Sequence, residues 1–306
     1  MSTGIGCVTV LTNPSSGHGN APHAAERAVT RLQQRGVDVR SIVGTDALHA
    51  RRLVDDELAR GTDALVVVGG DGIVSVALQA LACGPVPLGI VPAGTGNDHA
   101  RAYGLPTGDP AAAADVVLDG VTETVDLGRI RGADGTDRWF GTVMAAGFDS
   151  LVTDRTNRMT WPHGRMRYNL AMVAEISRLR LLPFRLVFDD GAGGVREVET
   201  PLTLAAFGNT RSYGGGMLIC PGADPTDGLL DVTMVASASR TQLIRLFPTV
   251  FKGTHVDLDE VRTARAAHIT VDSPGINAYA DGEYACPLPV EVAAVPRALR
   301  IRRPAR

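Results

Sequence analysis

Two glycine-rich segments constrain this chain more than anything else in it: Val67-Val68-Gly69-Gly70-Asp71-Gly72 and, about twenty residues on, Pro92-Ala93-Gly94-Thr95-Gly96-Asn97-Asp98. Each follows an apolar run and precedes a stretch of helical character, so each reads as strand, tight turn and helix. A turn without Cβ atoms lets backbone N–H groups point at an anion, and the helix that follows adds its positive end. Two such turns at neighbouring strand ends can cradle a nucleotide triphosphate. Asp71 and Asp98 would repel bare phosphate; they suit one that arrives with Mg²⁺, whose charge reverses the sign of that interaction.

The surroundings of the turns predict the fold. Cys7–Leu11, a helix over Ala21–Arg35, Val37–Val43, a helix over Asp46–Arg60, Ala64–Val68 and Val86–Val91 alternate as parallel α/β winding does. Ala64–Val68 is apolar throughout, as a central strand covered on both faces must be. Both turns fall where such strands end, the rim at which open α/β sheets bind their ligands. Past about Asp126 the texture changes to Gly-punctuated β segments, Trp139–Ala145, Phe184–Phe188, Val195–Phe207, Leu229–Val235, His268–Val271 and Pro289–Val292, with helical stretches at Arg165–Leu182 and Arg240–Phe251. That series predicts an antiparallel sandwich. The expected organisation is an N-terminal three-layer, Rossmann-like α/β domain over 1–128, an antiparallel β-sandwich domain over 129–296, and a last strand, 297–306, returning to the first domain at its edge. The site would lie in the cleft between them. With 306 residues, 44% of them hydrophobic, the chain can bury a core of that size.

Composition excludes several alternatives. Thirty Lys and Arg against 33 Asp and Glu leave a net charge of −3, which argues against a surface built to grip nucleic acid. Lys252 is the only lysine and lies far from either turn, so Walker-type and protein-kinase phosphate sites, which need a lysine at a defined place, are ruled out. Any fixed cation on the phosphates is arginine, metal or backbone. Cys7, Cys83, Cys220 and Cys286 have no short spacing and read as free thiols. The segment Met1-Ser2-Thr3-Gly4 runs into an apolar strand without a basic leader, and no run is long enough to span a membrane, so a cytosolic protein is expected. A dinucleotide fingerprint fails at Gly94-Thr95-Gly96-Asn97-Asp98-His99, because His99 stands where the third glycine belongs.

Taken together, Asn13-Pro14-Ser15-Ser16-Gly17, Gly69-Gly70-Asp71-Gly72, Pro92–Asp98 with Ala100-Arg101, Asp126-Leu127-Gly128, Ala146-Gly147-Phe148-Asp149, Gly208-Asn209 and Asp281-Gly282-Glu283 resemble the lipid kinase family of bacterial diacylglycerol kinases and sphingosine kinases, which shares its nucleotide loops with NAD kinases. The resemblance implies ATP and Mg²⁺ as cofactors and diacylglycerol as the favoured acceptor. ATP would be held by Asn13, Pro14, Ser15, Ser16 and Gly17, by Gly69, Gly70, Asp71 and Gly72, by Gly94, Thr95, Gly96, Asn97 and Asp98, and at Asp281, Gly282 and Glu283. Asp281 would be the general base, with Asp71 as its catalytic companion. Asp224, Asp227 and the Leu229 carbonyl would hold a second Mg²⁺, hard oxygens on one turn, with Asp126 near the nucleotide metal. A lipid substrate implies peripheral attachment to a membrane surface, and the family is compatible with a homodimer. Other acceptors, sphingoid base, another glycerolipid or NAD, are the alternatives.

Two departures stand out. Where the family continues its Gly-Gly-Asp-Gly loop with Thr and then Asn-Glu, this chain has Ile73 and then Ser75-Val76; a regulator without turnover is the reading those changes favour. Arg155, Arg158, Arg165, Arg167, Arg178, Arg180 and Arg185 cluster near Trp161, Leu179, Leu181 and Leu182, and are expected to form a patch for anionic lipid.

Overall fold

The computed structural model describes residues 4–13, 21–159, 161, 165–189, 194–236 and 239–305. Four parallel strands, β1 (Cys7–Thr12), β2 (Asp38–Val43), β3 (Ala64–Gly69) and β4 (Leu88–Pro92), alternate with helices α1 (Ala21–Gln34), α2 (Ala47–Arg60), α3 (Asp71–Leu81), α4 (Asp98–Ala102) and α5 (Pro110–Asp119). The sheet order β2-β1-β3-β4 puts β3 inside, and every residue of it is buried. Local chemistry sets the helix ends: Asp46 accepts from the His49 N–H at 2.8 Å, Asp109 caps α5 just ahead of Pro110, and α1 buries the small stripe Ala21, Ala24, Ala28 and Leu32.

The second half comprises β5 (Val121–Gly132), β6 (Asp137–Phe140), β7 (Val143–Gly147), α6 (Phe148–Arg158), α7 (Arg165–Ser177), β8 (Leu182–Asp189), β9 (Val195–Leu202), β10 (Leu204–Gly208), β11 (Leu230–Val235), α8 (Arg240–Val250), β12 (Val261–Ala266), β13 (His268–Asp272), β14 (Asn277–Ala280), β15 (Glu283–Pro287) and β16 (Val290–Arg303). One antiparallel sheet, β12-β11-β10-β7-β14-β15, packs through Met144, Phe207 and Leu230 on the layer containing β13 and β8, whose Leu186, Phe188 and Ile269 lie in the same core.

The two halves share a sheet. β16 pairs with β5 along both of its arms, with β13 at its start and with β4 at Ile301–Leu88, so the order runs β2-β1-β3-β4-β16-β13-β8-β9 without a break. The returning segment is therefore an interior strand, not an edge. The 128/129 and 296/297 junctions fall inside β5 and β16 rather than in linkers; a register shift between Val295 and Leu299, with Arg297 at φ +57°, marks the crossing. Two sequence expectations differ from the structure for a common reason. Val195–Phe207 is split between β9 and β10, which lie in different sheets, and Trp139–Ala145 is split at Gly141-Thr142. A chain that changes layers keeps its apolar character while turning, so composition does not reveal the corner.

Candidate functional site

The C-terminal ends of β1 to β4 share one rim, and the two glycine turns meet there. Helix α3 begins two residues after β3 ends, with Gly70 as its N-cap. A Cβ on Gly94 would stand 2.4 Å from the Gly70 Cα, and one on Gly70 would stand 3.2 Å from the Gly94 Cα. Only glycine at both positions lets the backbones approach this closely. Asn97, at φ +55°, fixes the second loop by accepting from the Gly94 N–H at 3.0 Å and donating to the Gly94 carbonyl at 2.9 Å. Second-domain residues close over this rim: the Glu283 Oε1 lies 3.1 Å from where a Cβ on Gly72 would be. A cleft of about 830 Å³ opens here, lined by Asn13, Gly72, Ile73, Ser75, Arg138 and Glu283 among others. Pro14, Ser15, Ser16 and Gly17 lie outside the described residues.

The carboxylates expected at the site divide into different environments. Asp71, in the first turn of α3, keeps 19% of its side chain exposed and accepts from the His99 backbone N–H and ring Nδ1, both at 3.1 Å. Burial works against its charge, yet these hydrogen bonds and the positive ring outweigh it and hold its pKa at about 2. Asp281 is enclosed, with 0% of its side chain exposed. Its oxygens accept from the Gly141 N–H at 3.0 Å, the Thr142 N–H at 2.8 Å and the Thr142 hydroxyl at 2.6 Å. Asp281 is thus held from behind by Gly141 and Thr142, with no side-chain surface exposed. Asp71 is the one of the two that keeps some exposed surface.

Between them sits His99, its side chain only 2% exposed, with Nδ1 on Asp71 and Nε2 3.7 Å from Asp281. Burial disfavours the charged ring, but Asp281 and Asp71 together overcome that cost and lift its pKa to about 10. The sign of the linkage follows. His99 contributes stability fully below its unfolded value near 6.5, and the contribution is lost as pH rises through about 10. Denaturant midpoints of wild type and His99→Phe are therefore expected to lie furthest apart near pH 6 and to converge toward pH 10. The flanking carboxylates are held low, and the neighbouring buried Tyr103 hydroxyl is pushed up by burial, so neither group titrates in that window.

Asp98 and Asp126 take structural partners instead of facing the cleft. Asp98 accepts from the Gly215 and Gly216 N–H groups at 2.8 and 2.9 Å, which pins a second-domain loop to the first domain. Asp126, 2% exposed, accepts from the Gly228 N–H at 2.7 Å and the Arg297 N–H at 2.8 Å, and its own N–H donates to the Pro225 carbonyl at 2.7 Å. It fixes the turn that carries Asp224, Asp227 and Leu229, with each of its oxygens already accepting a backbone N–H. On that turn Asp224 accepts from Thr226, while Asp227 accepts from the Leu229 N–H and is ion-paired to Arg265. Among the described residues no group of three His, Cys, Asp or Glu side chains is arranged to hold a metal ion. The donors nevertheless suit Mg²⁺, being two hard carboxylates and a carbonyl, provided the cation displaces Arg265 from Asp227.

Three groups at the rim escaped the sequence reading, and a fourth, Asn209, was read there only as part of the Gly208-Asn209 motif. Gly44 and Asp46 line the cleft beside Asn13, and three consecutive glycines, Gly214–Gly216, receive Asp98. Arg138 reaches the Ser75 hydroxyl at 3.2 Å and the Tyr284 carbonyl at 2.5 Å, putting a guanidinium in a cleft that holds no lysine. Asn209 joins the halves by donating to the Asp126 and Gly141 carbonyls. The triple glycine was a legible signal; the others depend on pairings between distant segments.

Away from the rim, a cavity of about 560 Å³ under α6 and α7 is lined by Arg155, Arg158, Arg178 and Arg180 above Leu151 and Leu182. Trp161 nearby is 74% exposed and Val173 62%. Arg155 is paired to Glu175 and Arg185 to Glu197, which withdraws both from the expected patch; the side chains of Arg165 and Arg167 lie outside the described residues. No helix among the described residues is long and apolar enough to cross a membrane.

Comparison with known proteins follows the same two-part division. Residues 7–130 match the diacylglycerol kinase catalytic domain, and residues 142–303 match the YegS C-terminal NAD kinase beta sandwich-like domain. A Mycobacterium tuberculosis protein named diacylglycerol kinase is 65% identical over 300 residues, covering 98% of this chain and 96% of its own. A Stenotrophomonas maltophilia protein named probable lipid kinase YegS-like is 30% identical, with 91% of each chain covered. The crystal structure of a diacylglycerol kinase from Bacillus anthracis str. Sterne superposes with a TM-score of 0.71 at 18% identity, covering 98% of this chain and 97% of that one, a likeness of fold.

Proposed function

Because the chain belongs to the diacylglycerol kinase family of lipid kinases, we propose that it transfers the γ-phosphoryl group of ATP, with Mg²⁺, to the free hydroxyl of diacylglycerol, giving phosphatidic acid. The observation that carries this reading is the glycine-only contact of Gly70 with Gly94 beside the Asp71 carboxylate, under a second domain that brings Glu283 to the same rim. Phosphoryl transfer asks little covalent chemistry of a protein: it needs positioned reactants, neutralised charge and a carboxylate within reach of the acceptor.

The backbone N–H groups of the two turns and the N-terminus of α3 would take the phosphates, and Arg138 would supply the fixed cation. Asp71, which keeps some exposed surface, would accept the hydroxyl proton, while Asp281 supports the site from behind. Mg²⁺, when bound, neutralises phosphate charge; Asp224, Asp227 and the Leu229 carbonyl are the residues that would hold a further ion. A base with a pKa near 2 is weak, which a loose transition state tolerates because the proton leaves late. Ile73 and Val76 alter the wall of the cleft but not its backbone cradle, so turnover is expected. Incubation of the purified protein with radiolabelled ATP and diacylglycerol, sphingosine, ceramide or NAD separates the acceptors. Label in phosphatidic acid supports the reading, and label in none of the four products would defeat it.

The acceptor lies in a membrane, and the three arginines lining this cavity that form no ion pair among the described residues, Arg158, Arg178 and Arg180, near exposed Trp161, are the surface best suited to meet it. Each basic residue at an anionic surface contributes roughly 1 kcal/mol. Neutralising all three to Gln is expected to weaken flotation with acidic vesicles by on the order of a hundredfold. Undiminished flotation would remove the patch from the account.

A further inference from the structure

We propose that His99 is a positioning residue for the transfer. Its ring ties the partly exposed Asp71 of the first domain to the enclosed Asp281 of the second, so that Asp71 is presented to the acceptor only while the two domains are apposed. The proposal rests on the phosphoryl-transfer reading above. Position 99, between Gly94–Asp98 and Ala100-Arg101, carries an imidazole where a dinucleotide loop would carry glycine.

The geometry leaves His99 few other roles. It is too enclosed to touch a nucleotide or lipid itself, with 2% of its side chain exposed. A Cβ on Gly141 would stand 2.6 Å from its Nε2, so the second domain is packed directly against the ring and only glycine admits it. Both His99 donors to Asp71 fall on Oδ1, which fixes the rotamer of that carboxylate. On the other side Asp281 is immobilised by Gly141 and Thr142, which makes it an anchor. The Nε2 group is buried, has no hydrogen-bond partner among the described residues, and points at Asp281 from 3.7 Å. Such bonds are often long before substrate binds and shorten in the reacting complex. A buried carboxylate that orients an imidazole, which in turn orients the reacting group, is the logic of a catalytic triad with the reacting group changed.

In the step itself the acceptor O–H bond breaks and its proton passes to the Asp71 carboxylate. The acceptor oxygen bonds to the γ-phosphorus as the bond to the β,γ-bridging oxygen breaks, and ADP leaves with that electron pair. His99 keeps its protons throughout.

Two measurements test the assignment. In steady-state kinetics His99→Phe is expected to lower kcat by about a hundredfold, with KM for ATP within about twofold. His99→Gln, whose amide reaches toward the Nε2 position, should recover part of the loss. Wild-type kcat in folded His99→Phe, or a fall in kcat matched by a rise in KM for ATP, would overturn the proposal. Independently of turnover, proton NMR of the nucleotide-free protein at pH 8 should show two imidazole N–H signals that vanish in His99→Phe, the Nδ1 signal strongly downfield and the Nε2 signal displaced in Asp281→Asn. A single neutral tautomer there would refute the bridge even if the protein is a kinase. Conversely, both signals in a protein that phosphorylates no lipid would leave the bridge standing and defeat the kinase reading. If His99→Phe does not fold, the wild-type NMR result decides.

Discussion

Asp71→Asn is expected to cut kcat by about three orders of magnitude while leaving KM for ATP within about twofold. The substitution is nearly isosteric and keeps an oxygen to accept from the His99 N–H groups, so the loop and its glycine contact persist. What disappears is the carboxylate between the two glycine turns that is proposed to take the proton. Asp281→Asn should behave differently. Asp281 satisfies three donors from Gly141 and Thr142 and faces a positive ring, so an amide there turns an NH₂ group toward groups that also donate. That change should cost about 1–3 kcal/mol of folding stability in addition to activity. Comparison of the two variants by steady-state kinetics and denaturant unfolding tests the division of labour. Equal losses of stability, or a normal kcat in Asp71→Asn, would contradict it.

Gly94→Ala is the second large effect. The added methyl would meet the Gly70 Cα at 2.4 Å, and that neighbour is backbone in the tight strand-to-helix connection, where nothing flexible can yield. The two turns must separate, and the cradle for the phosphates opens with them. Loss of nucleotide binding by at least a hundredfold is expected, since several backbone N–H contacts are lost together at roughly 1 kcal/mol or more each. Titration calorimetry with an ATP analogue measures it. The same substitution at Gly108, where φ is likewise not positive and nothing lies within 4 Å of the new atom, provides the control.

Much of this architecture is legible in the chain. The buried run Ala64–Val68, the turns at Gly69–Gly72 and Gly94–Asp98, and the change of texture near Asp126 reflect local rules: a fully covered strand, a backbone without Cβ, and a switch of period. Roles that depend on long-range pairing were less accessible. Asp281 reads as the general base in Asp281-Gly282-Glu283, while the structure buries it against the N–H groups of Gly141 and Thr142, partners about 140 residues away. Asp126 and Asp98 read as phosphate or metal groups, while the structure spends their oxygens on backbone N–H groups more than a hundred residues away. His99 was visible as a break in the dinucleotide pattern, but its two carboxylate partners are 28 residues upstream and 182 residues downstream, and only the fold brings them together. A sequence displays which groups can accept a proton; the pairing of strands decides which of them are still free to do so.

The central claim is that a Mg-bound triphosphate lies across the Gly70–Gly94 contact with Asp71 beside its γ-phosphate. A crystal structure with Mg²⁺ and a non-hydrolysable ATP analogue tests it directly. The account predicts β- and γ-phosphate oxygens within hydrogen-bond distance of backbone N–H groups from both glycine turns, with Asp71 facing the γ-phosphate and Asp281 still closed behind His99. Phosphates bound elsewhere, or Asp71 turned away from them, would contradict it.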